Sequence, residues 1–179
     1  MAKRWLVLAL GLGLLLTANL RPCYRVSVAD ETLPGRYSLR QTEECAQAAR
    51  SAAEEILENS VTLPTMQRSL RLIGPIDGDC AALTDALLRS TRGVGVSTEV
   101  LVNGTRLGTV ADGDYLCAAL RSFILNQMPH AAVSGNISGR LELRQVYTRA
   151  GQDRSYPDMV LLITGMAPVI YVDAEGKLA

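Results

Sequence analysis

The chain has 179 residues, with 18 Lys+Arg balanced by 18 Asp+Glu, a single His, 48% apolar residues and only 4% aromatics. Zero net charge and a pI near 6.6 argue against nucleic acid as a partner, since such binders need a basic field. One histidine cannot supply a multi-histidine metal site, and the aliphatic content argues against general disorder.

Lys3 and Arg4 precede an apolar run from Trp5 to Leu16, followed by a softer stretch, Thr17 to Leu20, and then Arg21 and Pro22. A basic flank before an apolar helix is the pattern of a secretory signal: the helix enters the bilayer while the cations stay cytoplasmic. Trp5 to Leu20 would span about 24 Å as a helix, short of the roughly 30 Å hydrocarbon core. Leu16-Thr17-Ala18 is a poor cleavage site, and Arg21 and Pro22 displace the small residues expected before a lipidated Cys23. Residues 1–22 therefore read as a signal peptide or a signal anchor. The expected location is exported, either secreted or held at the membrane through this segment.

The remainder repeats itself. Val26 matches Val100, Val28 matches Val102, Leu33 matches Leu107, and Gly35 matches Gly108 after an insertion at Pro34. Cys45 aligns with Cys117, and Ser69 to Leu72 with Arg140 to Leu143, all at a spacing of 71 to 74 residues. A fixed period of this kind marks duplication. A third start appears at Val169 to Gly176. The expected domains are 24–97 and 98–179, the second with a terminal strand.

Each unit opens with an alternating strand, a turn and a second short strand. In the second unit the turn is Asn103-Gly104, a strong hairpin signal because both residues accept positive φ. Gly93 to Ser97 is glycine-rich but alternates as the start of a strand, without the spacing of a phosphate-binding loop. A helix follows in each unit. The first is expected over 41–58, with Cys45, Ala48, Ala49, Ala52 and Ile56 on one face. The second is expected over about 114–127, with Leu116, Leu120, Phe123 and Ile124 buried, Asp112 or Asp114 as cap, and Pro129 after its end. A strand comes next, at 69–73 and at 140–147. A short helix closes each unit. That at 79–90 carries Leu83, Leu87 and Leu88; that at 157–164 carries Met159, Leu161, Leu162 and Ile163. The expected fold class is α+β: an N-terminal apolar helix followed by two tandem hairpin-helix-strand-helix units.

Cys23, Cys45, Cys80 and Cys117 form no C-x-x-C pair, which argues against zinc or thioredoxin-like chemistry. Export permits disulfides, and four cysteines allow three pairings. Helical placement favours reading Cys45, Cys80 and Cys117 as small buried hydrophobes. Such burial disfavours a thiolate, so Cys45 or Cys117 paired with His130 makes a poor nucleophile. His130 follows Pro129 in a loop, with nothing nearby in sequence to orient it. Glu43-Glu44 and Glu54-Glu55 point 100° apart on a helix and read as a solvated face. Asp77-Gly78-Asp79 reads as a turn running into a helix cap. Asn103 and Asn136 fit the glycosylation acceptor pattern, which carries no meaning in a bacterial protein. Tyr24, Tyr37, Tyr147, Tyr156 and Tyr171 lie near element ends, where they edge the core or stack on a sugar or peptide. No catalytic, cofactor-binding or metal-binding residue is assigned, and no cofactor is expected.

The run Val100 to Val110, followed by Asp114 to Leu120, resembles the strand–turn–strand–helix units of clostridial membrane-anchored lysostaphin-type peptidoglycan endopeptidases. In that family such units lie between a membrane segment and a zinc-dependent catalytic domain. The resemblance covers about Tyr24 to Gly176. The catalytic domain needs several histidines; with only His130 present, no zinc ligand carries over. The resemblance thus implies the non-catalytic repeat region: a non-enzymatic envelope module whose partner is a cell-wall component or an envelope protein. The alternative is an extracytoplasmic regulatory or inhibitory protein that pairs a strand, Val169 to Asp173, with its partner.

Overall fold

The computed structural model describes residues 22–71 and 74–179. The expected N-terminal apolar helix, and Leu72 and Ile73 at the end of the strand expected over 69–73, lie outside them. The described chain is mixed α+β, with four helices and eight strands in three small sheets. It forms two compact units that divide between Arg92 and Gly93. Of residues 93–97, assigned by sequence to the first unit, Gly93 closes a turn and 94–97 begin the long opening strand of the second.

The first unit contains β1 (Cys23–Val28), β2 (Glu31–Thr32), α1 (Leu39–Leu57), β3 (Met66–Arg71) and α2 (Cys80–Arg89). The sheet order is β2-β1-β3, with β1 antiparallel to both neighbours. Ala29 and Asp30 turn the hairpin with φ of 45° and 70°, the left-handed pair that matches strand twist. Ser38 caps α1 by accepting the Gln41 N–H at 3.0 Å. The buried face of α1 is Thr42, Cys45, Ala49 and Ala53. This differs from the expected stripe: Ala48 is exposed and Ala52 and Ile56 are half-buried. The observed set keeps the i, i+3, i+4 spacing but admits a hydroxyl, because Thr42 Oγ1 donates to Leu39 O at 2.7 Å. Asp79 caps α2 by accepting the Ala81 N–H at 2.9 Å, as the turn reading required. Leu83, Leu87 and Leu88 are buried, and a fully buried Leu contributes about 1.5–3 kcal/mol.

The cysteines depart from expectation. Cys45 and Cys80 form a disulfide with a Cα–Cα distance of 5.6 Å, tying α1 to the start of α2. Cys117 is exposed, and Cys23 alone is a buried free thiol among the described residues. The spacing of Cys45 and Cys80 gave no hint of this. Thr84 Oγ1 of α2 also donates to the Cys45 carbonyl of α1 at 3.5 Å.

The second unit contains β4 (Val94–Val102), β5 (Thr105–Val110), α3 (Gly113–Asn126), β6 (Ser134–Ile137), β7 (Leu141–Arg149), α4 (Tyr156–Met166) and β8 (Val169–Val172). Its main sheet has the order β5-β4-β7, and β6 pairs with β8 in a second, two-stranded sheet. Asn103 and Gly104 take φ of 52° and 79° at the hairpin turn. Glu99 and Arg106 meet across the hairpin at 2.6 Å. Val100, Val102 and Val110 from the sheet, Leu116, Leu120 and Ile124 from α3, and Met159 and Ile163 from α4 form one core. Two expected core residues of α4 lie outside it: Leu161 and Leu162 are 60% and 37% exposed. The strand read as a third start, β8, pairs with β6 in the small sheet. The strand β6 had no sequence signal, since Ser134-Gly135-Asn136 reads as loop.

Candidate functional site

Two of the second unit's exposed large apolar residues, Tyr115 and Leu161, border the cleft between α3 and α4. Two caps set the geometry. Asp112 Oδ1 accepts the N–H groups of Asp114 and Tyr115 at 2.8 and 3.1 Å, fixing the first turn of α3. Ser155 Oγ accepts the Asp158 N–H at 3.3 Å and donates to Asp158 Oδ2 at 2.6 Å. Pro157 fits that first turn because a missing N–H costs nothing there. The Tyr115 and Tyr156 rings meet with centroids 4.5 Å apart and planes tilted by 52°, a separation typical of attractive aromatic pairs.

Beside this pair lies a cleft of about 670 Å³. Ala118, Ala119 and Ser122 follow Tyr115 at helical spacing, and their small side chains leave space along α3. Phe123 and Leu161 supply further apolar wall, and Ser122 and Asn126 supply polar groups. Tyr115 is 61% exposed and Leu161 60%. An aromatic pair, an apolar floor and a few polar groups suit a ligand with one flat apolar face and several hydroxyls or amides.

No protein-family model, curated protein or solved structure matches this chain. The reading of the site therefore rests on its own residues.

The structure separates the tyrosines that the sequence grouped. Tyr37 is buried, its hydroxyl donating to Asp79 O at 3.2 Å. Tyr171 donates to Ile124 O at 3.2 Å across the core of the second unit. Only Tyr156 of that group borders the cleft. Its partner, Tyr115, was missed because it sits inside a helix; the small residues three, four and seven positions later were the available signal.

His130 is exposed in the loop between α3 and β6. Cys45 is bonded to Cys80 and has no thiol to offer. Cys117 instead opens onto a groove of about 600 Å³ beside β6, with Leu120, Ile124 and Leu125. Glu43 and Glu44 are exposed on α1, where Glu44 pairs with Arg40 at 2.7 Å. Among the described residues, no three His, Cys, Asp or Glu side chains cluster to hold a metal ion, and no helix is long and apolar enough to cross a membrane.

Proposed function

We propose that this protein is an exported, non-enzymatic cell-envelope module that binds a wall component through the Tyr115–Tyr156 cleft. The observation that carries the reading is the exposed aromatic pair beside an apolar cleft edged by Ser122 and Asn126. Sugar rings of a wall glycan offer the matching chemistry: one C–H face for stacking and hydroxyls for the polar rim. The disulfide supports export, since such bonds persist in oxidising compartments. The basic flank and apolar run of residues 1–22 supply the address. The duplication reading is supported by the two three-stranded sheets, each with the first hairpin strand at its centre and a later strand on its far side.

The test is retention of the full chain, in mild detergent, on purified peptidoglycan. Tyr115→Ala should lower retention about tenfold, the equivalent of ~1.4 kcal/mol, with the circular dichroism unchanged. Equal retention of wild type and Tyr115→Ala, or no retention of either, removes the glycan from the reading.

A second reading, strand pairing with a partner protein, gains a different edge from the one expected. The outer side of β8 is bridged by the last residues: Val172 pairs with Leu178, and the Ala179 N–H donates to Tyr171 O at 3.0 Å. On β7 the even-numbered residues turn toward β4, as in the 2.9 Å bond from Asn103 N–H to Arg140 O that continues the register. The odd-numbered backbone groups of Leu141, Leu143 and Gln145 face the other side, where β7 ends its sheet. An added strand would hydrogen-bond there. Leu143→Pro removes one of those donors and should abolish partner capture under this reading. Capture that survives it eliminates strand pairing.

A further inference from the structure

Three arginines of the first unit, Arg25, Arg36 and Arg71, line one polar cleft of about 520 Å³ together with Gly35, Pro75 and Asp77. Their convergence is built by the sheet register and by one glycine. Arg25 of β1 lies opposite Ser69, and Arg71 of β3 lies opposite Cys23. Paired residues share a sheet face, so Arg25 and Arg71 are diagonal neighbours on the same face, about 7–8 Å apart. Both side chains are exposed, and neither makes an ion pair with any described residue.

Arg36 enters from the loop before α1 and is held more firmly. Its N–H donates to Asp77 Oδ1 at 2.8 Å, and its carbonyl accepts the N–H groups of Asp77 and Gly78 at 3.1 and 2.9 Å. Its Nη1 occupies the space where a Cβ on Gly74 would stand. Gly74 also has φ of +149°, so a side chain is disfavoured there on two grounds. The bare Cα of Gly74 thus leaves room for the guanidinium. Three cations against one carboxylate give this cleft an excess of positive charge within a chain of zero net charge.

We infer that the Arg25–Arg36–Arg71 cleft is a binding site for a phosphate group. Diagonal like charges on a sheet repel, and an oxyanion between them removes that repulsion. The guanidinium fork matches phosphate oxygens two at a time. Arg36, packed against Gly74 and tied through its backbone to Asp77 and Gly78, supplies the orienting contact, while Arg25 and Arg71 close from the sheet. The cleft and the Tyr115–Tyr156 cleft belong to different units, so the two readings stand or fall separately. A phosphate reaches such a site as a free anion or as a lipid headgroup.

The thermal transition of the full chain in sodium phosphate, compared with sodium chloride at equal ionic strength, tests the free anion. Co-sedimentation with phosphatidylglycerol vesicles, against phosphatidylcholine vesicles as the control for the apolar N-terminus, tests the headgroup. We expect a phosphate-specific rise in transition temperature, with each of Arg25→Ala and Arg71→Ala weakening binding about tenfold. Both residues are exposed, so these variants keep the core. Arg25→Lys with Arg71→Lys keeps the charge and loses the fork, and should bind between wild type and the double alanine variant. A preference for phosphatidylglycerol that the double alanine variant loses, without a response to free phosphate, identifies the headgroup as the source. Neither response, or either one surviving the double alanine variant, overturns the site.

Discussion

Tyr37 shows how one residue ties the first unit together. Its ring fills the core while its hydroxyl donates to Asp79 O beside the cap of α2. Burial pushes its pKa upward, and the nearby charges of Asp79 and Asp77 push the same way. The neutral phenol is therefore favoured in the folded state. Its contribution is complete below the unfolded value near pH 10 and is lost as pH rises through the folded value. Urea midpoints between pH 9 and 11 should fall steeply in wild type and less in Tyr37→Phe. At neutral pH, Tyr37→Phe should cost about 1 kcal/mol for the lost bond. The hairpin turn of the same unit carries strain of another kind. Ala29 and Asp30 hold positive φ, which non-glycine residues adopt at a cost of about 1–2 kcal/mol each. Replacing both by Asn-Gly, the pair used at Asn103-Gly104, should raise stability by about 1 kcal/mol in denaturant titrations.

At the level of elements, amphipathic spacing and punctuation were readable. Asn103-Gly104 announced its hairpin, Pro129 followed the end of α3, and Asp79 and Asp112 capped the helices that follow them. Phase was harder. On α1, five alanines between positions 46 and 53 let the stripe rotate, and packing chose Thr42 and Ala53 over Ala48 and Ala52. On α4, an almost wholly apolar sequence gives no face to read, so Leu161 and Leu162 could not be told from Met159 and Ile163. Tyr156 was singled out from sequence, but its pairing with Tyr115 joins two helices about 40 residues apart and has no local signal. The fate of β8 was likewise set by pairing. It shares a sheet with β6, and Val169 and Tyr171 pack on the core. Deleting Val169 to Ala179 should therefore unfold the second unit, read as loss of its cooperative thermal transition. A truncated chain that kept that transition would show that β8 is dispensable.

Across the whole molecule, balanced charge hides local imbalance. Without residues 1–22, which carry Lys3, Arg4 and Arg21, the net charge would be about −3, which argues against bulk adhesion to anionic polymers, yet three arginines share one cleft. Composition excludes a basic field; it does not exclude a basic site. The two units also differ in how they are held. The first closes a loop of 35 residues with the Cys45–Cys80 bond, worth about 3–4 kcal/mol in chain entropy. The second relies on its apolar core, with no bridge among its described residues. Adding reductant should lower the melting transition of the first unit and leave that of the second unchanged, as followed by residue-resolved hydrogen exchange. The consequence is an order of maturation. Newly made chain that still carries thiols has a weakened first half and a self-sufficient second half. Oxidation of Cys45 and Cys80 then completes the first half, so one covalent event separates an immature molecule from a finished one.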